Sequence, residues 1–318
     1  VTSSGSFVVS VGTNGDLSAG VVATVGSFTV DAAAASSGAI TLTTVTAGGN
    51  ATISMGAGTG SLAVTNVTAG GNITVDAGLF GGAIDITNMS ASGAATVSIG
   101  SSGDFSANQV NTTGAFTLDA ANASTGAVTL NGLDAGGNAT ISMGTGTGSI
   151  TMTSGVTTGS FTLDASTFGG AIDITNVTAS GAIVISMGTS GDLSASQTHT
   201  TGAVTIDGAN ASTGSVTFGT ISASGAVTVS MGSGSGSLAV STNIDTEKGF
   251  ILDASQFGGT LDFAAITASG ATTISIAGGD FSAAQTIIAS TFTLDASTST
   301  TGSVTLTSVS AGGNASIT

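Results

Sequence analysis

The sequence predicts an all-β protein wound as a parallel β-solenoid (β-helix). Three observations predict it: an internal repeat of 88 residues split into four, apolar–polar alternation of period two inside each quarter, and 51 Gly with no Pro in 318 residues. A fixed period of tens of residues marks a stacked architecture. Period two places successive side chains on opposite faces of a strand. A continuous parallel ladder uses nearly every strand N–H, so Pro, which has none, is shut out.

The repeat is read from its aspartates. Asp31, Asp119 and Asp295 stand in F-T-[LV]-D-A, Asp207 holds the same place in V-T-I-D-G, and neighbours in this series are 88 residues apart. Asp16, Asp104, Asp192 and Asp280 stand in G-D-[LF]-S-A with the same step. Asp76, Asp164 and Asp253 step by 88 and then 89. The extra residue is placed near the segment Asp245-Thr-Glu-Lys248, and a one-residue deletion before Asp280 restores the frame. Each block divides into four coils of about 22 residues, opening in one block at Gly114, Gly137, Gly159 and Gly181. About fourteen coils fill residues 1–318, which are read as a single continuous solenoid.

Within one block the elements follow in order. The first strand of each coil points inward with Phe116, Leu118 and Ala120, then Ala139, Ile141 and Met143, then Phe161, Leu163 and Ala165, then Ile183, Ile185 and Met187. A second strand carries Val128 and Leu130, Ile150 and Met152, Ile172 and Ile174, and Leu193 and Ala195. A third apolar point falls at Leu133, Val156 and Val177, which gives three short strands and three turns per coil. A Phe at the start of the inward set goes with an Ala at its end, whereas Ala139 goes with Met143, so that stacked layers interdigitate. The glycines are assigned to corners that need positive φ. A helical reading fails, because Gly, Thr, Ser and Val are poor helix formers and no 3.6-residue period occurs. Antiparallel sandwiches of 88 residues would need linkers at that spacing, and the sequence has none.

Composition limits the partners. Lys248 is the one basic residue against 17 acidic ones, for a formal net charge of −16. Phosphates cannot be neutralised that way, so nucleic acid is excluded. No Cys is available for a disulfide framework. No apolar run reaches the ~18 residues of a membrane span. Val1 opens directly into repeat sequence without a signal-peptide pattern. Neither end carries a polar cap, so the chain is read as a window of a longer array or as a subunit that self-associates end to end into a homopolymer or lattice.

No residue is assigned a catalytic or cofactor-binding role. The acids are spread evenly by the repeat, and acid–base work on sugars needs paired carboxylates in one place. One outward column reads Asp31, Ser54, Asp76, Ser98, Asp119, Ser142, Asp164, Ser186. Like charges in it lie two coils apart, roughly 10 Å, with Ser diluting them. A sharper reading is calcium at the corners, on Asp16, Asp104, Asp192 and Asp280 with nearby carbonyls. One carboxylate per corner is thin for an ion that takes six to eight oxygens. Asn50-Ala-Thr, Asn72-Ile-Thr, Asn138-Ala-Thr, Asn176-Val-Thr and Asn210-Ala-Ser match the N-glycosylation acceptor, against which stands the role of Asn in turns. His199 aligns with Asn111 one block earlier, at an outward-facing turn without metal-ligating company. Asp245 to Lys248 reads as a surface bulge or insertion, with a partner contact as the alternative. The rows Thr41-Leu-Thr43 and Thr151-Met-Thr153 could order water on a flat face, but Asp173 and Ser194 interrupt them.

The segments Ser124-TGAVTL, Ala135-GGNATISMGTGTGSITMT and Phe161-TLDASTFGGAIDITN resemble the long β-strand-repeat regions of bacterial surface proteins: S-layer proteins, filamentous-haemagglutinin-like adhesins and other giant secreted proteins. The resemblance covers nearly the whole chain and is one of composition and rhythm. It implies secretion, a place on the cell surface or outside the cell, and a structural task, or alternatively an adhesive one that binds glycans or another surface through one solenoid face. The calcium nonapeptides of many such proteins are missing here.

Overall fold

In the computed structural model the chain is an all-β parallel solenoid of about fourteen turns, with paired strands recurring about 22 residues apart and no helix among the described residues. The structure describes residues 1–34, 37–101, 103–123, 125–189, 191–211, 213–299 and 301–318. Ser124, which opens one segment of the resemblance, and Ser212, which closes the Asn210 triplet, lie outside the described residues. The chain divides into two compact units, Val1–Gly159 and Ser160–Thr318.

Each turn holds two strands where the sequence suggested three, except the last, whose long strand is split into Val304–Leu306 and Val309–Ala311. In the first unit the five-residue strand Phe116–Ala120 is followed by the nine-residue strand Ala127–Ala135. Short strands pair with short and long with long, always parallel, which also disposes of antiparallel sandwiches. The expected second and third strands are one element because the alternation slips once. Val128, Leu130, Leu133 and Ala135 are buried, and the consecutive residues Asn131 and Gly132 both lie outside the core. Two outward residues in a row rotate the strand's faces without ending its ladder. The slip corrects the reading of Val156. In Ser149–Thr157, Gly155 pairs with Leu133 and is buried, whereas Val156 pairs with Asp134 and is 42% exposed.

The core is the set of inward positions of both strands. Phe28 lies beside Ala51 and Ala32 beside Met55, and the same exchange recurs for Phe116 with Ala139 and Ala120 with Met143. All eight are buried. A large side chain thus faces a small one across each rung, which fills the interior without overpacking it.

The corners divide the labour. From long strand to short the connection is three residues, as in Gly48–Asn50, Gly70–Asn72 and Gly136–Asn138. The other corner absorbs the variation. It spans six residues between Ala120 and Ala127 but five between Met143 and Ser149. Register steps along the first unit are therefore 21 (Phe7 to Phe28), 23 (Phe28 to Ala51), 22 (Ala51 to Ile73), 22 (Ile73 to Ala95), 21 (Ala95 to Phe116) and 23 (Phe116 to Ala139).

A glycine precedes every long strand at that variable corner, or stands one residue further back where the strand begins late: Gly15, Gly38, Gly60, Gly82, Gly103, Gly126 and Gly148 in the first unit. Positive φ is not the reason, contrary to expectation. Among the described residues the one positive φ belongs to Gly302, at 101°. The reason is close approach. A Cβ on Gly38 would overlap the carbonyl oxygen of Gly15, one on Gly60 that of Gly38, and one on Gly82 that of Gly60.

The second unit repeats this plan with two irregularities. The strand Ser237–Thr246 has ten residues, and its register shifts between Phe218/Thr220 on one side and Val240/Ile244 on the other. The extra residue is thus a β-bulge just ahead of Asp245, where the repeat arithmetic placed it. The corner between Ile276 and Phe281 is shortened to four residues, so that Thr272 pairs with Phe292 only 20 positions on. This is the deletion expected before Asp280.

Candidate functional site

The corner aspartates bind the protein's own backbone. Where Asp16, Asp104, Asp192 or Asp280 occupies the place of a first strand residue, the long strand begins one residue late, at Leu17, Phe105, Leu193 and Phe281. Each carboxylate accepts an N–H at the start of the next turn's long strand: Asp16 from Ala39 at 2.8 Å, Asp104 from Ala127 at 2.8 Å, Asp192 from Ser215 at 2.7 Å and Asp280 from Ser303, just ahead of Val304, at 2.8 Å. At two corners without an aspartate a glycine carbonyl serves that N–H, Gly214 O for Ser237 at 3.3 Å and Gly236 O for Thr260 at 3.2 Å. Side chains at these corners therefore replace a missing backbone acceptor. No three His, Cys, Asp or Glu side chains converge as a metal site among the described residues.

The outward column has the predicted order. Asp31 pairs with Ser54, Ser54 with Asp76, Asp76 with Ser98 and Ser98 with Asp119 in the first unit. In the second, Asp164 pairs with Ser186, Ser186 with Asp207 and Asp207 with Ser230. Sequence reasoning missed its second job. The carboxylates of Asp119, Asp164 and Asp207 accept the N–H two residues on, from Ala121 at 3.0 Å, Ser166 at 3.1 Å and Ala209 at 3.0 Å, so each of them starts the variable corner as an Asx turn. At Asp295 the Ser297 hydroxyl and then the Ser297 N–H, with a further contribution from Thr318, hold the carboxyl below its ordinary value.

The Asn triplets divide by location. Asn50 and Asn72 sit in the constant corner, where Asn50 Oδ1 accepts the Asn72 N–H and Asn72 Oδ1 accepts the Ala94 N–H, both at 2.9 Å. That is the turn role. Asn210 lies in a variable corner and donates from Nδ2 to Ser166 O at 3.3 Å. Asn176 is in the strand Ala171–Ala179. Asp245, Glu247 and Lys248 are exposed beside the bulge. The threonine rows of the long strands are broken, since Thr41 pairs with Ala63. An unbroken row runs instead along the short strands of the first unit, through Thr29, Thr52, Thr74, Thr96, Thr117 and Thr140.

Two grooves open on the second half of the long strands at matching places in the two units. In the first unit a groove of about 420 Å³ is lined by Ser90, Asn111 and Asp134. In the second a groove of about 330 Å³ is lined by Thr178, His199 and Ser222, each 88 residues on. His199 is exposed as expected but sits in the strand Leu193–Thr200, between Thr178 and Ser222 in register, and not at a turn. Asn176 and Gln197 also line the second groove. Beside the first, Gln109 Nε2 donates to Asn111 Oδ1 at 2.9 Å. The alignment of His199 with Asn111 was visible in the repeat, but the neighbours that make a groove come from adjacent turns and require the register. Comparison with protein-family models, with curated proteins and with solved structures gave no match for this chain.

Proposed function

We propose that this chain is a secreted structural protein that forms a surface layer, fibre or filament outside the cell. The observation that carries this reading is the sameness of successive turns. Each presents the next with the same two parallel ladders and the same glycine corner, so a further turn, from the same chain or another copy, needs no new kind of interface. The resemblance to bacterial surface repeats supports the location. A net charge of −16 supports solubility and disfavours collapse onto anionic surfaces. The work is mechanical: stacked ladders over an apolar interior of aliphatic side chains and buried Phe resist bending and proteolysis. Electron microscopy of the purified chain tests it. Filaments or lattices that grow with protein concentration are expected, and separate particles at every concentration would overturn the proposal. Because the corner aspartates are engaged by backbone N–H groups, a chelator is expected to leave melting and assembly unchanged.

A second reading, an adhesin that binds glycans through one face, is favoured by the two matching grooves.

A further inference from the structure

We infer that the paired grooves are subsites for neutral oligosaccharide, an inference that rests on the adhesive reading. The argument starts from what their walls offer. Ser90, Asn111 and Asp134 in one, and Thr178, Gln197, His199 and Ser222 in the other, supply hydroxyl, amide, imidazole and carboxylate groups. Hydroxyls and amides both donate and accept, which suits a ligand that does the same at every carbon. An anionic ligand meets neither Lys nor Arg there, because the one Lys of the chain is Lys248 and there is no Arg. A cationic ligand finds one carboxylate in the first groove, Asp134, and none in the second, where Ser222 takes its place. An apolar ligand finds no aromatic ring in either wall. A neutral, hydroxyl-rich chain is the class that both sites share.

Position argues further. The next-to-last position of the long strand places Ser90, Asn111 and Asp134 in register on three successive turns, and Thr178, His199 and Ser222 likewise. Side chains on neighbouring turns stand about 4.8 Å apart, a spacing within reach of adjacent hydroxyls along an extended sugar chain. Neither groove offers an aromatic platform, so a single groove gives a sugar only polar contacts and little apolar area to bury. A polysaccharide of many equivalent units raises the effective affinity of each groove, because a released unit is replaced by its neighbour on the same sugar chain.

The chain carries its own reporter, since His199 is its sole histidine. The imidazole NMR signals would be followed while cellopentaose, maltopentaose, laminaripentaose or chitopentaose is added. Retention on immobilised neutral polysaccharides, and on alginate as an anionic control, would be measured for the parent chain, for the double variant Asn111→Ala/His199→Ala, and for Thr96→Ala on the short-strand sheet. A saturable shift of the His199 signals by at least one neutral sugar is expected, with retention falling roughly tenfold in the double variant and unchanged in Thr96→Ala. Circular dichroism would establish that both variants keep the fold. Retention by a neutral polysaccharide that leaves the His199 signals unmoved, or that survives the double variant, overturns the groove assignment and leaves the adhesive reading standing. Stronger retention on alginate overturns the ligand class. No retention on any polysaccharide overturns the adhesive reading itself.

Discussion

The first unit, Val1–Gly159, keeps its frame, whereas the second, Ser160–Thr318, breaks it and still winds the same way. Inward positions show the contrast best. At the sixth place of the shortened long strand the first unit has Val22 and Val110, both buried. The same place in the second unit holds Thr198 and Thr286, each 1% exposed, and neither hydroxyl has a hydrogen-bond partner. The second unit also carries the bulge of Ser237–Thr246 and the four-residue corner before Phe281. In a structure whose turns touch mainly their neighbours, a fault is felt locally and the next turn begins afresh. The comparison teaches which features tolerate variation, namely loop length and single inward hydroxyls, and which do not.

The glycine corner belongs to the intolerant class, and it should give the largest effect. Gly60→Ala drives a Cβ into the Gly38 carbonyl. It is expected to lower stability by about 2–3 kcal/mol, read as a drop in the urea midpoint. Gly191→Ala in the second unit meets its nearest atoms at 3.1 and 3.2 Å and should lose clearly less. Equal losses at the two sites would mean that close approach is not what selects glycine there.

Next comes the exchange of inward residues. Thr198→Val should stabilise the second unit by about 1–3 kcal/mol by removing an unsatisfied buried hydroxyl. Val110→Thr should destabilise the first by a similar amount, with amide exchange in the flanking strands as the measurement. If Thr198→Val destabilises, the hydroxyl has a partner in solution.

A smaller effect is expected at the corner carboxylates. Asp192→Ala removes the acceptor of the Ser215 N–H and should weaken the second unit by about 1 kcal/mol, whereas Asp192→Asn keeps an oxygen acceptor and should lose less. The urea midpoints of the two variants decide this.

The smallest effect concerns Asp295. Its carboxyl is held below 3.8, first by the Ser297 hydroxyl. A lowered folded value means that the contribution to stability is present above the unfolded value and is lost as pH falls through the folded one. Carbon-detected NMR titration should give a midpoint below 3.8, moving upward but not the whole way in Ser297→Ala, since the backbone N–H remains.

Much of this was legible because a repetitive sequence supplies its own alignment. The 88-residue step, the inward sets of the short strands, the Phe–Ala and Ala–Met exchange and the bulge near Asp245 needed no coordinates. What stayed hidden depends on contacts between turns. Alternation continued past Met152 gives no warning that two outward residues follow in succession, so Val156 was assigned inward in place of Gly155. The glycines were credited with unusual dihedral angles because a sequence does not display how near the preceding turn runs. In the sequence Asp192 reads as a corner carboxylate open to calcium, because its partner, Ser215, lies 23 residues away. The grooves were half legible: the relation of His199 to Asn111 follows from the period, whereas Ser222 and Thr178 join His199 only through the pairing of strands.

The order of turn lengths in the first unit, 21, 23, 22 and 22 before it begins again, bears on how such a molecule can change over generations. A tandem duplication in the coding DNA that copies one whole block joins edges that already match, so recombination can lengthen or trim the protein without inventing a contact. A copy that starts or stops within a block instead brings unequal loops into succession and leaves a change of corner length of the kind seen before Phe281.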